Sequence, residues 1–192
     1  MMRHRRIGHV AGAIAVALGL CITALSFYAF PPRVALVSCL LGWTMLAIAA
    51  IDARRLRIPD MLSLPAIPAG LLASGYLLDP ASGHLVSLDH VIGACVGGTS
   101  LWLLRKAYFR LRGREGLGLG DVKLASAAGA WTGWDHLSHV LLLAAVLALG
   151  LVIALALVRR KGLSGSEKIA FGSFLAPSIW IVWVVRAYAQ GL

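Results

Sequence analysis

The sequence predicts an all-α, polytopic transmembrane bundle of about seven helices with its N-terminus in the cytoplasm. Three observations lead there. Of the 192 residues, 59% are hydrophobic and only 14% charged, with a mean hydropathy of +0.84; a soluble domain of this size needs more polar surface than that. Apolar stretches near spanning length recur along the chain. The 18 Lys and Arg, against 8 Asp and Glu, fall in short runs between those stretches.

Segment one, Ile7–Phe30, follows the basic start Arg3, Arg5, Arg6. Its apolar core is long for a signal peptide and no small-x-small cleavage site closes it, so it reads as a retained helix. Pro31-Pro32 ends it. Residues 1–32 thus form an N-terminal transmembrane helix and 33–192 a second unit. In that unit the expected spans are Val34–Asp52, Met61–Leu78, Val91–Leu104, Asp121–Trp134, Leu137–Val158 and Ile169–Ala189. Gly93-x-x-x-Gly97 permits close helix packing in the fourth segment.

The basic residues orient this bundle. With the N-terminus in the cytoplasm, every Lys and Arg except Arg33 and Arg186 falls on the cytoplasmic side, as the positive-inside rule requires. The loop Asp79–His90 on the other side has none. A net charge of +10 also suits nucleic acid, but no recognition module or basic, aromatic-interleaved helix accompanies it, so nucleic acid is not an expected partner. Membrane lipid is. Cys21, Cys39 and Cys95 lie in apolar stretches with no CxxC spacing, and read as small apolar residues.

Two acids stand out. Asp52 ends the second segment and Asp121 begins the fifth, which the topology places at one depth on one side of the membrane. Acids at that depth are costly and mark a functional site. Two that can approach suit a shared-proton pair, one activating water and the other polarising a carbonyl. Asp121 follows Gly116-Leu-Gly118-Leu-Gly120, whose glycines free the backbone and admit a substrate strand. Alone, this pattern equally fits a helix-starting turn with an Asp cap. It is no phosphate loop, since Gly-Lys-Ser/Thr is missing. The fifth segment is only 14 residues, about 21 Å of helix against a hydrocarbon core of about 30 Å. With Trp131 and Trp134 as an outer aromatic belt, Asp121 sits inside the membrane, where irregular backbone must line a water-filled cavity. Asp52 ends a helix and Asp121 starts one, so the dipoles place the shared proton mostly on Asp52 and leave Asp121 as the base.

These residues resemble the prepilin peptidases, the bacterial GxGD aspartic peptidases of type IV pilus and type II secretion systems. The likeness runs from about Leu36 to Val185. It comprises Asp52 with Ile58-Pro59-Asp60 and Leu62-Ser-Leu-Pro65, then Gly113 through Leu124 around Asp121, Gly129-Ala-Trp131-Thr-Gly-Trp134, and Phe171-Gly-Ser-Phe-Leu-Ala176. Presenilin-like proteases share GLGD, but pair it with Tyr-Asp and Pro-Ala-Leu motifs, where this chain has Ile51-Asp52 and no Pro-Ala-Leu. The resemblance implies a catalytic unit over 33–192, with Asp52 and Asp121 as catalytic residues and Gly118 and Gly120 in the active-site loop. It implies cleavage of the short basic leader of prepilins or pseudopilins at the cytoplasmic face of the bacterial inner membrane. Methylating members carry an N-terminal segment with paired CxxC cysteines; this chain resembles the short form without it, so N-methyltransferase activity is not expected.

Asp60, Glu115 and Glu167 are acids among basic loops, either solvated ion pairs or contacts for a basic leader. Lys123 either snorkels or touches substrate. His4, His9, His84, His90, His136 and His139 do not converge at ligand spacing, so neither a metal nor a cofactor is expected. No His base accompanies a Ser or Cys nucleophile at membrane depth. The competing readings are a non-enzymatic component of a secretion machine and a proton-coupled transporter. The latter favours midplane acids and internal repeats, and this chain has neither.

Overall fold

Two prolines divide the first long apolar run. A computed structural model describes residues 2–75, 87–114, 116–159 and 170–192. In it α1 spans Met2–Ala29 and α2 Pro32–Arg55. Pro31 caps α2 in an extended conformation and Pro32 occupies its first turn, where a missing N–H has no helical partner to lose. The other helices are α3 (Asp60–Ala73), α4 (Leu88–Arg112), α5 (Leu119–Arg159) and α6 (Gly172–Ala189). Among the described residues every regular element is helical. Glu115, Glu167, His84, Arg160, Lys161, Lys168 and most of the loop expected on the outer side lie outside the described residues.

Among the described residues, four helical stretches are long and apolar enough to cross a membrane: Gly12–Ala29, Pro32–Arg55, Leu119–Val158 and Gly172–Ala189. The expected fifth and sixth segments are both inside α5. At 1.5 Å per residue that helix would run about 60 Å, twice the hydrocarbon thickness. It is divided at Gly133, with φ 76° and ψ 174°, a conformation essentially reserved for glycine. The expected interruption after Trp134 is therefore a single residue placed earlier, and the helix resumes at once.

The broken turn explains a cluster of polar side chains. An unbroken helix would bond Trp134 N–H to the Ala130 carbonyl. Instead Trp134 N–H donates to Asp89 Oδ1 at 3.1 Å, and the Ala130 carbonyl accepts from His90 Nδ1 at 2.9 Å. The Thr132 carbonyl accepts from Arg186 Nη1 at 2.6 Å. A carbonyl can only accept, so His90 carries its proton on Nδ1, and its Nε2 accepts from Arg186 Nη1 at 3.0 Å; His90 is the neutral tautomer. Arg186, one of the two exceptions to the charge rule, thus holds a helix break rather than reporting topology.

Packing follows from small residues and aromatics. A Cβ on Gly93 would lie 2.8 Å from the Gly129 carbonyl oxygen, so α4 and α5 meet backbone to backbone, as the glycine spacing predicts. Trp131 was expected in an aromatic belt but is 5% exposed. Its Nε1 donates to the Ala66 carbonyl on α3 at 2.8 Å, and its ring stands edge-on to Trp183, 6.2 Å away. Trp183 in turn meets Phe30 at 6.0 Å. An indole whose N–H is satisfied internally gains more from core packing than from the interface; Trp134, at 50% exposed, stays outside. Leu41, Met45 and Ile48 of α2 share one core with Leu124 and Ala128 of α5 and Leu175 and Ile179 of α6.

Candidate active site

The last turn of α2, the first turn of α3 and the starts of α5 and α6 meet at one end of the bundle. α2 ends because Leu56 turns left-handed, φ 51° and ψ 38°, with its N–H donating to the Asp52 carbonyl at 2.8 Å. It is the one non-glycine residue with positive φ among those described. That conformation costs about 1–2 kcal/mol. It sends the chain back so that Ile58 folds under Asp52 before Pro59 caps α3.

Asp52 is 5% exposed. Its Oδ2 accepts from the Ser173 backbone N–H at 2.9 Å and lies 3.3 Å from the Ser173 hydroxyl. Ser173 is in the first turn of α6, so a helix N-terminus points at this carboxyl. Gly172 makes the approach possible: a Cβ there would lie 2.9 Å from Asp52 Oδ2 and 2.5 Å from Ile58 Cδ1.

Asp121 is 9% exposed and sits in the first turn of α5. Its Oδ2 accepts from Gly118 N–H at 3.1 Å, reaching back to the residue before the helix as in half of a capping box. Its Oδ1 is buried and, among the described residues, has no hydrogen-bond partner. The capping reading of the glycine turn thus accounts for Oδ2 alone and leaves Oδ1 free of that task. Gly120 matters for packing, since a Cβ there would stand 2.7 Å from Ile58 Cβ. Ile58 joins the two acids, touching Gly120 beside Asp121 and Gly172 beside Asp52.

Asp60 and Lys123 form one ion pair, Nζ to Oδ1 2.7 Å, joining the starts of α3 and α5. Glu115 and Glu167, the other acids expected near a substrate, lie outside the described residues. Beside Ser173 a groove of about 340 Å³ opens between α1 and α2, lined by Ile14, Leu18, Leu46, Ala50 and Arg54. Among the described residues no three His, Cys, Asp or Glu side chains are grouped to hold a metal ion, and His136 and His139 stack 5.8 Å apart at the other end. The cysteines Cys21, Cys39 and Cys95 are free thiols.

Residues 39–154 match the type IV leader peptidase family. The chain belongs to that family. Similar proteins named prepilin leader peptidase/N-methyltransferase include one from Aeromonas hydrophila, 43% identical over 147 residues, 76% of this chain and 48% of that protein. Another, from Aeromonas salmonicida strain A449, is 39% identical over 146 residues, 76% of this chain and 48% of its own length. One from Pseudomonas aeruginosa is 35% identical over 157 residues, 79% and 51%. The chain therefore spans about half the length of these curated relatives. No solved structure matches. Asp52, Asp60, Gly118, Gly120, Asp121 and Lys123 fall within the type IV leader peptidase match, whereas Ser173 and Gly172 fall beyond it. Those last two and Ile58 all stand in the motifs that carry the resemblance, but nothing in their residue type or spacing marks them as neighbours of the two acids.

Proposed function

We propose that the chain is a membrane aspartic endopeptidase that removes the short basic leader of type IV prepilins or pseudopilins. The work would be done at the cytoplasmic face of the bacterial inner membrane, by Asp52 and Asp121. The observation that carries this reading is the pair itself: two nearly buried carboxyls from distant segments, linked through Ile58, in a chain of the leader peptidase family. Cleavage needs one carboxylate and one carboxylic acid. The carboxylate takes a proton from water as its oxygen attacks the scissile carbonyl carbon. The acid gives its proton to the carbonyl oxygen. The tetrahedral adduct then collapses: one of its hydroxyls returns a proton to the second carboxyl as C=O re-forms, the C–N bond breaks, and the nitrogen leaves with the proton held by the first carboxyl.

The membrane side is supported by the basic residues of that end: Arg54 and Arg55 close α2, and Arg110 and Arg112 close α4, on the side where the positive-inside rule puts the cytoplasm. Acids at a membrane edge suit a substrate anchored by an apolar segment with its leader in water. The apolar groove that reaches Ser173 gives such a segment a route to Asp52. Co-expression with a type IV prepilin tests the function, with loss of the leader read by mass. An uncleaved prepilin beside a well-inserted chain would refute it.

We further propose that these 192 residues carry no N-methyltransferase activity, because none of the three cysteines has the CxxC spacing of methylating members. Incubated with a prepilin and S-adenosylmethionine, the purified chain should release an unmethylated N-terminus; a methyl group added by this chain alone would contradict it.

A further inference from the structure

The two carboxyls of the pair have unequal surroundings. Asp52 Oδ2 faces two donors from one residue: the Ser173 N–H at 2.9 Å and its hydroxyl at 3.3 Å. The hydroxyl lies equally far, 3.3 Å, from the Ala49 carbonyl, so its single proton is shared between a neutral acceptor and a carboxyl. An ionised acceptor wins that competition, because charge-assisted hydrogen bonds are about twice as strong as neutral ones. Among the described residues Asp121 has one donor, Gly118 N–H, and a buried Oδ1 with none. A bare carboxylate oxygen out of water is costly, whereas a protonated Oδ1 carries its own donor, available to a substrate carbonyl.

Among the described residues, the other charged groups around Asp52 do not oppose this. On α2 and the following turn they are Arg54, Arg55 and Arg57, all favouring an anion. On α3 and α5, Asp60 and Lys123 neutralise each other. On α4, Arg105 donates from Nε to the Leu117 carbonyl at the glycine turn. On α6 the first turn, Gly172 to Leu175, bears no charge, and α1 presents Ile14, Ala15 and Leu18. The C-terminal end of α2 disfavours an anion at Asp52, but the N-terminal end of α6 aims at the same oxygen with an explicit N–H, which the sequence alone could not place.

We infer that Ser173 is a positioning residue that makes Asp52 the anion of the pair and leaves the shared proton on Asp121. Asp52 is then the base that receives the proton of water, and Asp121 the acid that polarises the carbonyl. The inference rests on the proposed aspartic mechanism and reverses the assignment the helix ends suggest from sequence.

The pair titrates as a unit, and its two macroscopic steps form the two limbs of the pH profile of kcat/KM. If Asp52 ionises first, the acid limb reports Asp52. Weakening its donors makes that limb rise. If Asp121 ionises first, the acid limb is Asp121 and the same change moves only the alkaline limb. The experiment compares purified wild type, Ser173→Ala, Ser173→Cys and Ser173→Thr on a type IV prepilin across pH. A hydrogen bond to a charged group is worth about one pH unit or more. The acid limb of the Ala and Cys variants should therefore move up by about one unit, leaving the alkaline limb in place, while Thr, which keeps the hydroxyl, restores the wild-type limb. Cys preserves the shape of Ser, so a folding defect in the Ala variant leaves the test intact. An acid limb unmoved in both Ala and Cys, or a shift of the alkaline limb alone, overturns the inference. The aspartic mechanism is judged separately: cleavage surviving in Asp52→Asn or Asp121→Asn would end that reading whatever Ser173 does.

Discussion

Ile58 occupies the space a side chain on Gly120 would need, its Cβ 2.7 Å from the position of a Gly120 Cβ. The same side chain presses on Gly172, where an added Cβ would meet Ile58 Cδ1 at 2.5 Å. One isoleucine therefore sets the spacing between the start of α5, which carries Asp121, and the start of α6, which holds Asp52. The Gly120 contact cannot be relieved by rotating a flexible end, since it meets the branch point of Ile58, whereas Gly172 meets the Cδ1 end of Ile58 together with Asp52 Oδ2.

Gly120→Ala and Gly172→Ala should each push these helix starts apart by a fraction of an ångström to an ångström. Misplacement on that scale costs about 100-fold in rate. Both variants are expected to insert normally and lose about that much kcat. Ile58→Val, which deletes Cδ1, should recover part of the Gly172→Ala loss and none of the Gly120→Ala loss. Single-turnover cleavage measures both; equal recovery of the two would show that Ile58 is not the shared spacer.

Asp52→Asn and Asp121→Asn should each abolish leader cleavage while the protein still inserts and keeps its thermal transition. Half of a shared-proton pair cannot both take a proton from water and supply one to the carbonyl. Asn also keeps the size of Asp, so packing is preserved. Robust cleavage by either well-expressed variant would remove that residue from the mechanism.

The helical class, the breaks at Pro31-Pro32 and the packing of Gly93 were legible because each depends on composition or local chain geometry. Asp52 and Asp121 were legible as acids placed where acids are costly. The partner of Asp52 was not, because Ser173 is 121 residues away and only the tertiary fold brings α6 beneath α2. Trp131 was misplaced for a related reason: sequence shows an aromatic near a helix end, but not the Ala66 carbonyl and the Trp183 ring waiting for it. Gly133 was passed over because a glycine inside an apolar run looks like a helix-packing residue until its φ is seen.

The Gly133 break should be fragile in a defined way. Gly133→Ala demands a conformation nearly closed to alanine and sets a Cβ against the Asp89 carboxylate, so about 1–3 kcal/mol of strain is expected. Arg186→Met leaves the Thr132 carbonyl and His90 Nε2 without their donor, at about 1–3 kcal/mol for a buried unsatisfied group. Detergent-solubilised variants should melt lower than wild type. Because this cluster lies at the Gly133 break, more than three helical turns along α5 from Asp121, the acid and alkaline limbs of their pH profiles should stay in place. An unchanged melting temperature in both would show that the break is held by other contacts.

Filling the groove should act on substrate binding. Ala50 lines it, one of the small residues of α2 on that side. Ala50→Trp should raise KM for a membrane-anchored prepilin and leave kcat within about twofold, the signature of lost uniform binding. A soluble leader peptide lacking the apolar segment should show no such change. A KM that is unaltered for both substrates would take the groove out of the substrate path.

Of the acids expected to meet a basic leader, Asp60 is the one among the described residues, and it already has Lys123 as a partner at 2.7 Å. Its side chain is 60% exposed and that of Lys123 32%, so the pair itself is worth about 1 kcal/mol at most. Reversing Asp60 to Lys therefore does two things: it sets two lysines against each other between α3 and α5, and it removes a negative charge from the site. The swap Asp60→Lys with Lys123→Asp separates them, because it restores the pair while moving the negative charge to α5. If Asp60 only ties the two helices, the swap should return KM to the wild-type value. If Asp60 contacts the leader, KM should stay raised in the swap, by up to about fivefold for a partly solvated contact, and the excess should shrink as salt screens it. We expect the second outcome, since the leader is basic in the proposed function and Asp60 keeps more than half of its side chain open to it. A swap that restores KM at low salt would leave Asp60 as a strut between α3 and α5, and local attraction of the leader would have to come from elsewhere.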